Sequence, residues 1–468
     1  MNKALPLIVL ATVTGCKTGP DYKRPAVELP PAEKSTSATV AQIPTDWWNL
    51  FGDKQLQALV QEALVKNQDL ALAMAKLDEA RALAGVSRAD YYPTLDLGGR
   101  FGESKISEVG SSAFIPGMNR TSNTNIVGLI ANYELDLWGK VRRANEASRA
   151  RLFEADYNRV NVQLQIASLV AFNYIHLRAL DSQLQISQET YRSRQDSYDL
   201  ISKRFKGGMS SELDARQSEA EMHESRGQIS KFEQEISAAE NSLAVLLGRT
   251  PKEIYMTTVA RGKQLSEFLK PPELPKELSS QILERRPDIM AAEQNLIGAN
   301  AQIGVAKSYY FPSISLFAGI GSDSSDLSNL FKGQSETWSY GINLSMPIFN
   351  AGKIGYLVEA TTARQQQALA AYQKSIQIAF TEVRDALKAY EKQGELVESK
   401  TAEVTALQRN VHLAKLRYNN GQSPYLEVLD AERRLFQADL SRVNAVEGHL
   451  AAVVSLYKSL GGGWTLNK

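Results

Sequence analysis

The sequence contains one cysteine and four histidines among 468 residues. A single thiol cannot form an intrachain disulfide, so no disulfide framework is expected. The histidines lie far apart in helical segments and lack the spacing of metal ligands; they are His176, His223, His412 and His449. We also find no phosphate-binding loop or nucleophile elbow in the sequence. These absences predict that the chain is not an enzyme and that it holds neither a metal nor a non-covalent cofactor.

Excess charge is also lacking. The 53 basic and 52 acidic residues leave a formal net charge of +1. Such a balance produces no strong field that would attract nucleic acid, so nucleic acid is not an expected partner. Beyond the first 15 residues there is no run of about 18 apolar residues, and a transmembrane helix is therefore not predicted.

The one cysteine, Cys16, follows a short leader. Lys3 supplies a basic start, residues 4–14 are apolar, and the small residue Gly15 precedes the cysteine. This pattern resembles a bacterial lipobox, in which residues 1–15 are a signal peptide and Cys16 becomes a lipidated N-terminus. The alternative is an ordinary signal sequence with a buried thiol. Lys17 stands where an inner-membrane retention signal would carry aspartate, which favours the outer membrane. Residues 16–52 would then be a lipidated segment and linker.

The remainder of the chain is an internal duplication. Three glycine-containing motifs recur at one separation of 213 residues. They are Gly139 and Gly352, Gly208 and Gly421, and Gly248 and Gly461. Self-similarity over this length indicates a duplicated structural unit. We assign residues 53–248 to the first repeat, 249–275 to a connection, 276–460 to the second repeat and 461–468 to a C-terminal tail.

Each repeat contains two segments in which apolar and polar residues alternate. They form predicted β-hairpins at about 93–137 and 312–349, and each strand is long enough to cross a bilayer at a tilt. A soluble antiparallel sheet with one wet face is the alternative. The smallest outer-membrane barrels have about eight strands, so four strands per chain would require several chains. This argument leaves two and three copies open.

Long helical segments follow the hairpins. Residues 140–206 and 353–418 each run for about 65 residues, or roughly 95–100 Å. Shorter helices are predicted at about 53–90, 211–247, 277–308 and 424–459. The second long helix carries a seven-residue apolar repeat from Ile376 to Tyr418, which is typical of coiled-coil packing. Glycines end both long helices and predict two helical hairpins. A dimeric coiled-coil rod without a pore is the alternative.

Several motifs along the chain carry a family resemblance. They are the segments 19–25, 47–53, 133–140, 283–289 and 303–306, with the sequences GPDYKRP, WWNLFGD, YELDLWGK, LERRPDI and IGVA. With them the chain resembles the TolC-like outer-membrane factors, in the OprM-like (NodT-type) lipoprotein branch of multidrug efflux systems. The resemblance implies a mostly α fold with a membrane β-barrel. Three chains would contribute four strands each to a 12-stranded barrel, which a long α-helical barrel continues into the periplasm.

The same resemblance implies a function. The chain would be the outer-membrane channel of a tripartite efflux pump, a passive exit duct for drugs or other small molecules. Its partners would be two further copies of itself, a periplasmic adaptor protein, an inner-membrane transporter of the resistance–nodulation–division type, and outer-membrane lipid. The duct of a type I protein secretion system has the same architecture and is the alternative. A further alternative is a structural lipoprotein that bridges the envelope layers and does not conduct ions or solutes.

The resemblance also implies a gate at the periplasmic tip. The matching residues are Leu426, which would form an apolar ring, and Glu427 and Asp430, which would form acidic rings that favour cations. Arg417 and Tyr418 match positions that hold such a tip closed, with Asp214 as a candidate partner. Taken without the family, Glu427 and Asp430 are an ordinary solvated helix start.

Overall fold

The computed structural model describes residues 17–26, 44–110, 117, 119–268 and 286–463. The predicted signal peptide and the lipidation site Cys16 lie outside the described residues. So do about half of the predicted linker, the end of the predicted connection, and the last five residues of the tail.

Four strands form one antiparallel sheet in the order β1-β2-β3-β4. They are β1 (Thr94–Lys105), β2 (Thr121–Glu134), β3 (Ser313–Ser324) and β4 (Glu336–Ser345). These strands lie within the two predicted hairpins. The sheet therefore takes two strands from each repeat, and the repeats meet where β2 pairs with β3.

Two glycines face each other at this junction. Gly128 on β2 is the pairing partner of Gly321 on β3. A Cβ atom added to Gly128 would lie 2.8 Å from the carbonyl oxygen of Ile320, closer than side chains approach backbone. Glycine is needed here because the two strand backbones approach each other closely.

The apolar face of the sheet is uncovered in the single chain. Leu97 on β1 and Trp338 on β4 are 75% and 70% exposed. In a soluble antiparallel sheet one face packs against a core, and that face is normally the apolar one. The alternation predicted from sequence is present, but its apolar side meets no other part of the described chain that would bury it.

The described helices are dominated by two of 67 residues each. In chain order they are α1 (Lys54–Lys66), α2 (Gln68–Ala89), α3 (Lys140–Lys206), α4 (Glu212–Leu246), α5 (Pro251–Met256), α6 (Pro287–Ser308), α7 (Lys353–Asn419) and α8 (Tyr425–Ser459). Among these helices none is long and apolar enough to cross a membrane.

The predicted single helix at 53–90 is wrong, because the chain breaks at Asn67. This residue has an extended backbone with ψ of 133°. Its Oδ1 accepts hydrogen bonds from the N–H groups of Asp69 and Leu70 at 2.8 and 3.1 Å, while its Nδ2 donates to the Leu246 carbonyl at 2.8 Å. Asparagine is a favoured N-cap, so it starts α2 while it ties the break to the end of α4.

The seven-residue repeat of α7 is confirmed as a buried stripe. Ile376, Val383 and Val404 are at most 3% exposed. Closer to the turn into α8, Val411 belongs to an apolar cluster that includes residues of α8 such as Val428. Helices in such hairpins are stabilised mainly by this burial rather than by intrinsic propensity.

Residues 17–24, here called the N-terminal strap, lie against α3 and α6. The Thr18 hydroxyl donates to the Gly304 carbonyl at 3.0 Å. The fully buried Arg143 donates from Nε to the Thr18 carbonyl at 3.0 Å and from Nη2 to Asp21 Oδ1 at 2.9 Å. This guanidinium holds the pKa of the Asp21 carboxyl below its ordinary value.

A second ion pair fixes the far end of the strap. Arg24 donates to both carboxylate oxygens of Glu293, each at 2.6 Å, and Tyr22 Oη donates to Oε1 at 3.0 Å. Glu293 is 4% exposed, so its charge is satisfied almost entirely by the strap. Burial and the neighbouring carboxylate raise the pKa of Tyr22.

The chain divides into two compact units that cut across the repeats. Of the described residues, the first unit comprises those within 17–26, 78–154 and 292–372, and the second those within 44–77, 155–268, 286–291 and 373–463. The first unit contains the sheet and the strap, and the second contains both helical turns. Each unit combines segments of the two repeats, because the hairpins of both repeats pair in one sheet. The predicted repeats therefore describe the sequence and do not correspond to separate compact bodies.

Candidate functional site

The predicted gate residues lie at the two helical turns of the second unit. Gly208 after α3 and Gly421 after α7 have φ values of 74° and 72°. In both turns the N–H of the residue directly after this glycine donates back to an arginine carbonyl, Met209 to Arg204 at 2.8 Å and Gln422 to Arg417 at 2.9 Å. Glycine supplies the left-handed conformation that such helix ends need. The two copies thus build the same turn.

The helices that follow the turns begin differently. Ser211 caps α4, since its Oγ accepts from the Asp214 N–H at 3.1 Å and Asp214 Oδ2 accepts from the Ser211 N–H at 3.3 Å. The described contacts of Asp214 are with Ser210 and Ser211 in its own turn. The candidate pairing of Asp214 with Arg417 or Tyr418 is therefore absent within the described chain, where the carboxylate contacts its own turn instead.

Arg417 instead contacts another predicted gate residue. Its Nη1 lies 3.3 Å from Glu427 Oε2. Both side chains are about half exposed, so water and salt weaken this ion pair. The contact joins the last turn of α7 to the first turn of α8 across the glycine turn.

Tyr418 joins the two helical hairpins. Arg204 Nη1 at the end of α3 donates to Tyr418 Oη at 3.3 Å, and the guanidinium lies 5.7 Å from the ring centroid. The Tyr418 ring also packs against Tyr425 of α8 at 5.1 Å between centroids. Arg204 was not among the residues predicted from sequence. Arg204 occupies the position in the first repeat that Arg417 occupies in the second. The duplication could therefore have identified it.

Asp430 is paired within its own helix. Its two carboxylate oxygens lie 2.8 Å from Arg433 and 2.7 Å from Arg434. Leu426, one helical turn before Asp430 on the same face, is 56% exposed. The neighbouring Tyr425 faces inward, and burial raises the pKa of its phenol. The first turns of α8 thus have a packed face and an open face that carries Leu426 and Asp430.

Comparison with known proteins identifies the family. The sequence profile described as "Outer membrane efflux protein" matches residues 59–249 and 278–462. The chain belongs to this family. The two matched stretches cover most of the described helices and all four strands.

Relatives of this outer membrane efflux protein match over nearly the whole chain. Cation efflux system protein CusC of Escherichia coli O6:H1 is 36% identical over 467 residues, which are 99% of each chain. The probable outer membrane lipoprotein SilC of Salmonella typhimurium is 33% identical, again over 99% of each chain. The crystal structure of the Campylobacter jejuni CmeC outer membrane channel superposes with a TM-score of 0.90 at 26% identity, and covers 97% of this chain and 96% of CmeC.

These findings confirm the fold class, the general function and the location predicted from sequence. The protein is an outer-membrane efflux channel with the mostly helical, four-stranded architecture of its family, and it extends into the periplasm. The relatives are named as efflux and channel proteins. The roles of the individual gate residues stay predictions.

Proposed function

We propose that three copies of the chain form one continuous duct, which serves as the exit channel of a tripartite efflux pump. A periplasmic adaptor protein and an inner-membrane transporter of the resistance–nodulation–division type would deliver substrate to it. The lipid expected on Cys16 would anchor each chain beside the barrel in outer-membrane lipid. The substrates would be drugs or other small molecules, and the duct would move them passively.

The observation that carries this proposal is the incomplete sheet. Its outer strands, β1 and β4, pair on one side only within the chain. Unpaired backbone groups cost several kcal/mol each in hydrocarbon, so these edges must meet other chains in a membrane. The exposed apolar face, with Leu97 and Trp338, suits lipid. Twelve strands leave room for a lumen, whereas side chains fill a barrel of eight.

The gate of the proposed duct lies at the helical turns of the second unit. Leu426 would form an apolar ring in the trimer, and Glu427 and Asp430 would form acidic rings beside it. The contacts of Arg417 with Glu427 and of Arg204 with Tyr418 support a closed resting arrangement, since each ties one helix of the tip to another.

Assembly can be tested with a matched pair of glycine variants. We expect the purified protein to have a protein mass in detergent of about three times 51.7 kDa, and to conduct ions in planar bilayers. Gly128→Val should abolish both properties, because a side chain there collides with β3. Gly102→Val on β1 is the control, since a Cβ at that position meets nothing within 4 Å. A monomeric or dimeric mass for the wild type, or wild-type conductance from the Gly128 variant, would contradict the proposal.

A further inference from the structure

The helix α6 has two opposite faces that meet different surroundings. One face carries Glu293 and Gly304, which contact the N-terminal strap. Asn295 and Gln302 each lie two residues from a residue on that face, and two residues on a helix correspond to a rotation of about 200°. They therefore point to the opposite side of α6, where they line a groove shared with α3 and α7.

This groove faces the lumen if the proposed function is correct. The strap directly follows the expected lipid-bearing Cys16, and a lipid must reach the bilayer on the outside of the assembly. The strap side of α6 is therefore the outer side, and the groove side is the inner one. That the groove faces a lumen rests on the proposed function. The chemistry of the groove does not depend on it.

The groove is lined by both polar and apolar side chains, and it carries two positive charges and one negative charge. Its volume is about 440 Å³, within the range of small-molecule sites. Arg151 on α3 and Arg364 on α7 line it and have no hydrogen-bond or ion-pair partner among the described residues. Glu154 is the one acidic residue of the lining, and it accepts a hydrogen bond from Asn295 Nδ2 at 2.9 Å.

The lining offers the groups that recognise an anion. A guanidinium presents paired N–H donors that match a carboxylate, sulfonate or phosphate in a two-point contact. The side-chain amides of Gln302 and Gln367 add further donors. Gly298, also in the lining, is buried, and a Cβ there would lie 3.5 Å from the Ala147 carbonyl oxygen, so this glycine packs α6 against α3.

We propose that this groove is a binding site for small organic anions in transit through the duct. Three copies in the trimer would form a basic ring around the lumen. Such a ring would raise the local concentration of anionic solutes and lower the preference of the channel for cations.

The test uses naphthalene-1,5-disulfonate as the probe and the purified full-length protein. We expect binding in equilibrium dialysis that weakens about tenfold in the Arg151→Gln/Arg364→Gln double variant. The control Arg409→Gln removes one positive charge from an exposed position of α7, the helix that carries Arg364, and should bind like the wild type. Reversal potentials in a salt gradient should shift towards cation selectivity in the double variant alone.

The outcomes separate this proposal from the proposed duct. Equal probe affinity in the wild type and the double variant would overturn the proposed binding site. So would an equal loss of affinity in the Arg409 control. If binding behaves as expected but the wild type does not conduct, the site stands and the duct fails. Normal conductance without probe binding leaves the duct intact and removes the site.

Discussion

Arg204→Met combined with Tyr418→Phe is expected to raise the ratio of open to closed channels about a hundredfold. These changes remove the hydrogen bond and the cation–π contact between Arg204 of α3 and Tyr418 of α7, while both side chains keep their apolar bulk. Such a contact at a partly exposed site contributes about 1 kcal/mol. If three chains open together, the effect is about 3 kcal/mol, and each 1.4 kcal/mol is a factor of ten. Single-channel recordings measure the ratio directly.

The control for this prediction is Arg216→Met. Arg216 lies on α4 beyond the first turn and contacts Glu212 and Glu219 of its own helix, so it does not connect the hairpins. Asp430→Asn should have a smaller effect on opening than the double variant, because the partners of Asp430 are also in its own helix. Recordings in which the double variant and the control have the same open probability would show that the Arg204–Tyr418 contact does not hold the tip closed.

The parts of the fold that depend on local chemistry could be predicted from the sequence. Glycine at a helix end specifies the turn, so Gly208 and Gly421 located both helical turns. Alternation of apolar and polar residues located the four strands, because it reflects the pleat itself. The break at Asn67 was missed, since the sequence around it keeps a helical pattern and the bond from its Nδ2 to the Leu246 carbonyl is a tertiary contact.

Side-chain pairing at the candidate site was harder to predict. The sequence places Asp214 near a turn, but in the structure its Oδ2 accepts hydrogen bonds from Ser210 and Ser211 of its own turn, so the contacts of this carboxylate are local. The partner of Tyr418 comes from a residue 214 positions earlier in the chain, and only the packing of the hairpins brings them together. Sequence therefore located the site, whereas the pairs within it depend on tertiary structure.

Arg143→Met should release the N-terminal strap and weaken the first unit by about 3 kcal/mol. The buried guanidinium donates to the carbonyls of Thr18 and Gly19 and to the carboxylates of Asp21 and Glu146. Removing a charged donor leaves buried acceptors unsatisfied, at about 1–3 kcal/mol for each group that water cannot reach. The exposed Asp21 regains water and adds little, so the two carbonyls dominate the cost.

Limited trypsin digestion measures this release, because the strap contains cleavable bonds after Lys17 and Lys23. We expect both bonds to be cut many times faster in Arg143→Met than in the wild type. Glu293→Gln should expose the bond after Lys23 more than the bond after Lys17, since Glu293 holds only Tyr22 and Arg24. Arg149→Met, at an exposed position six residues along the same helix, is the matched control. Equal cleavage in all four proteins would mean that α6 and the strap remain together without these ion pairs, and that contacts such as the hydrogen bond from the Thr18 hydroxyl to the Gly304 carbonyl are sufficient.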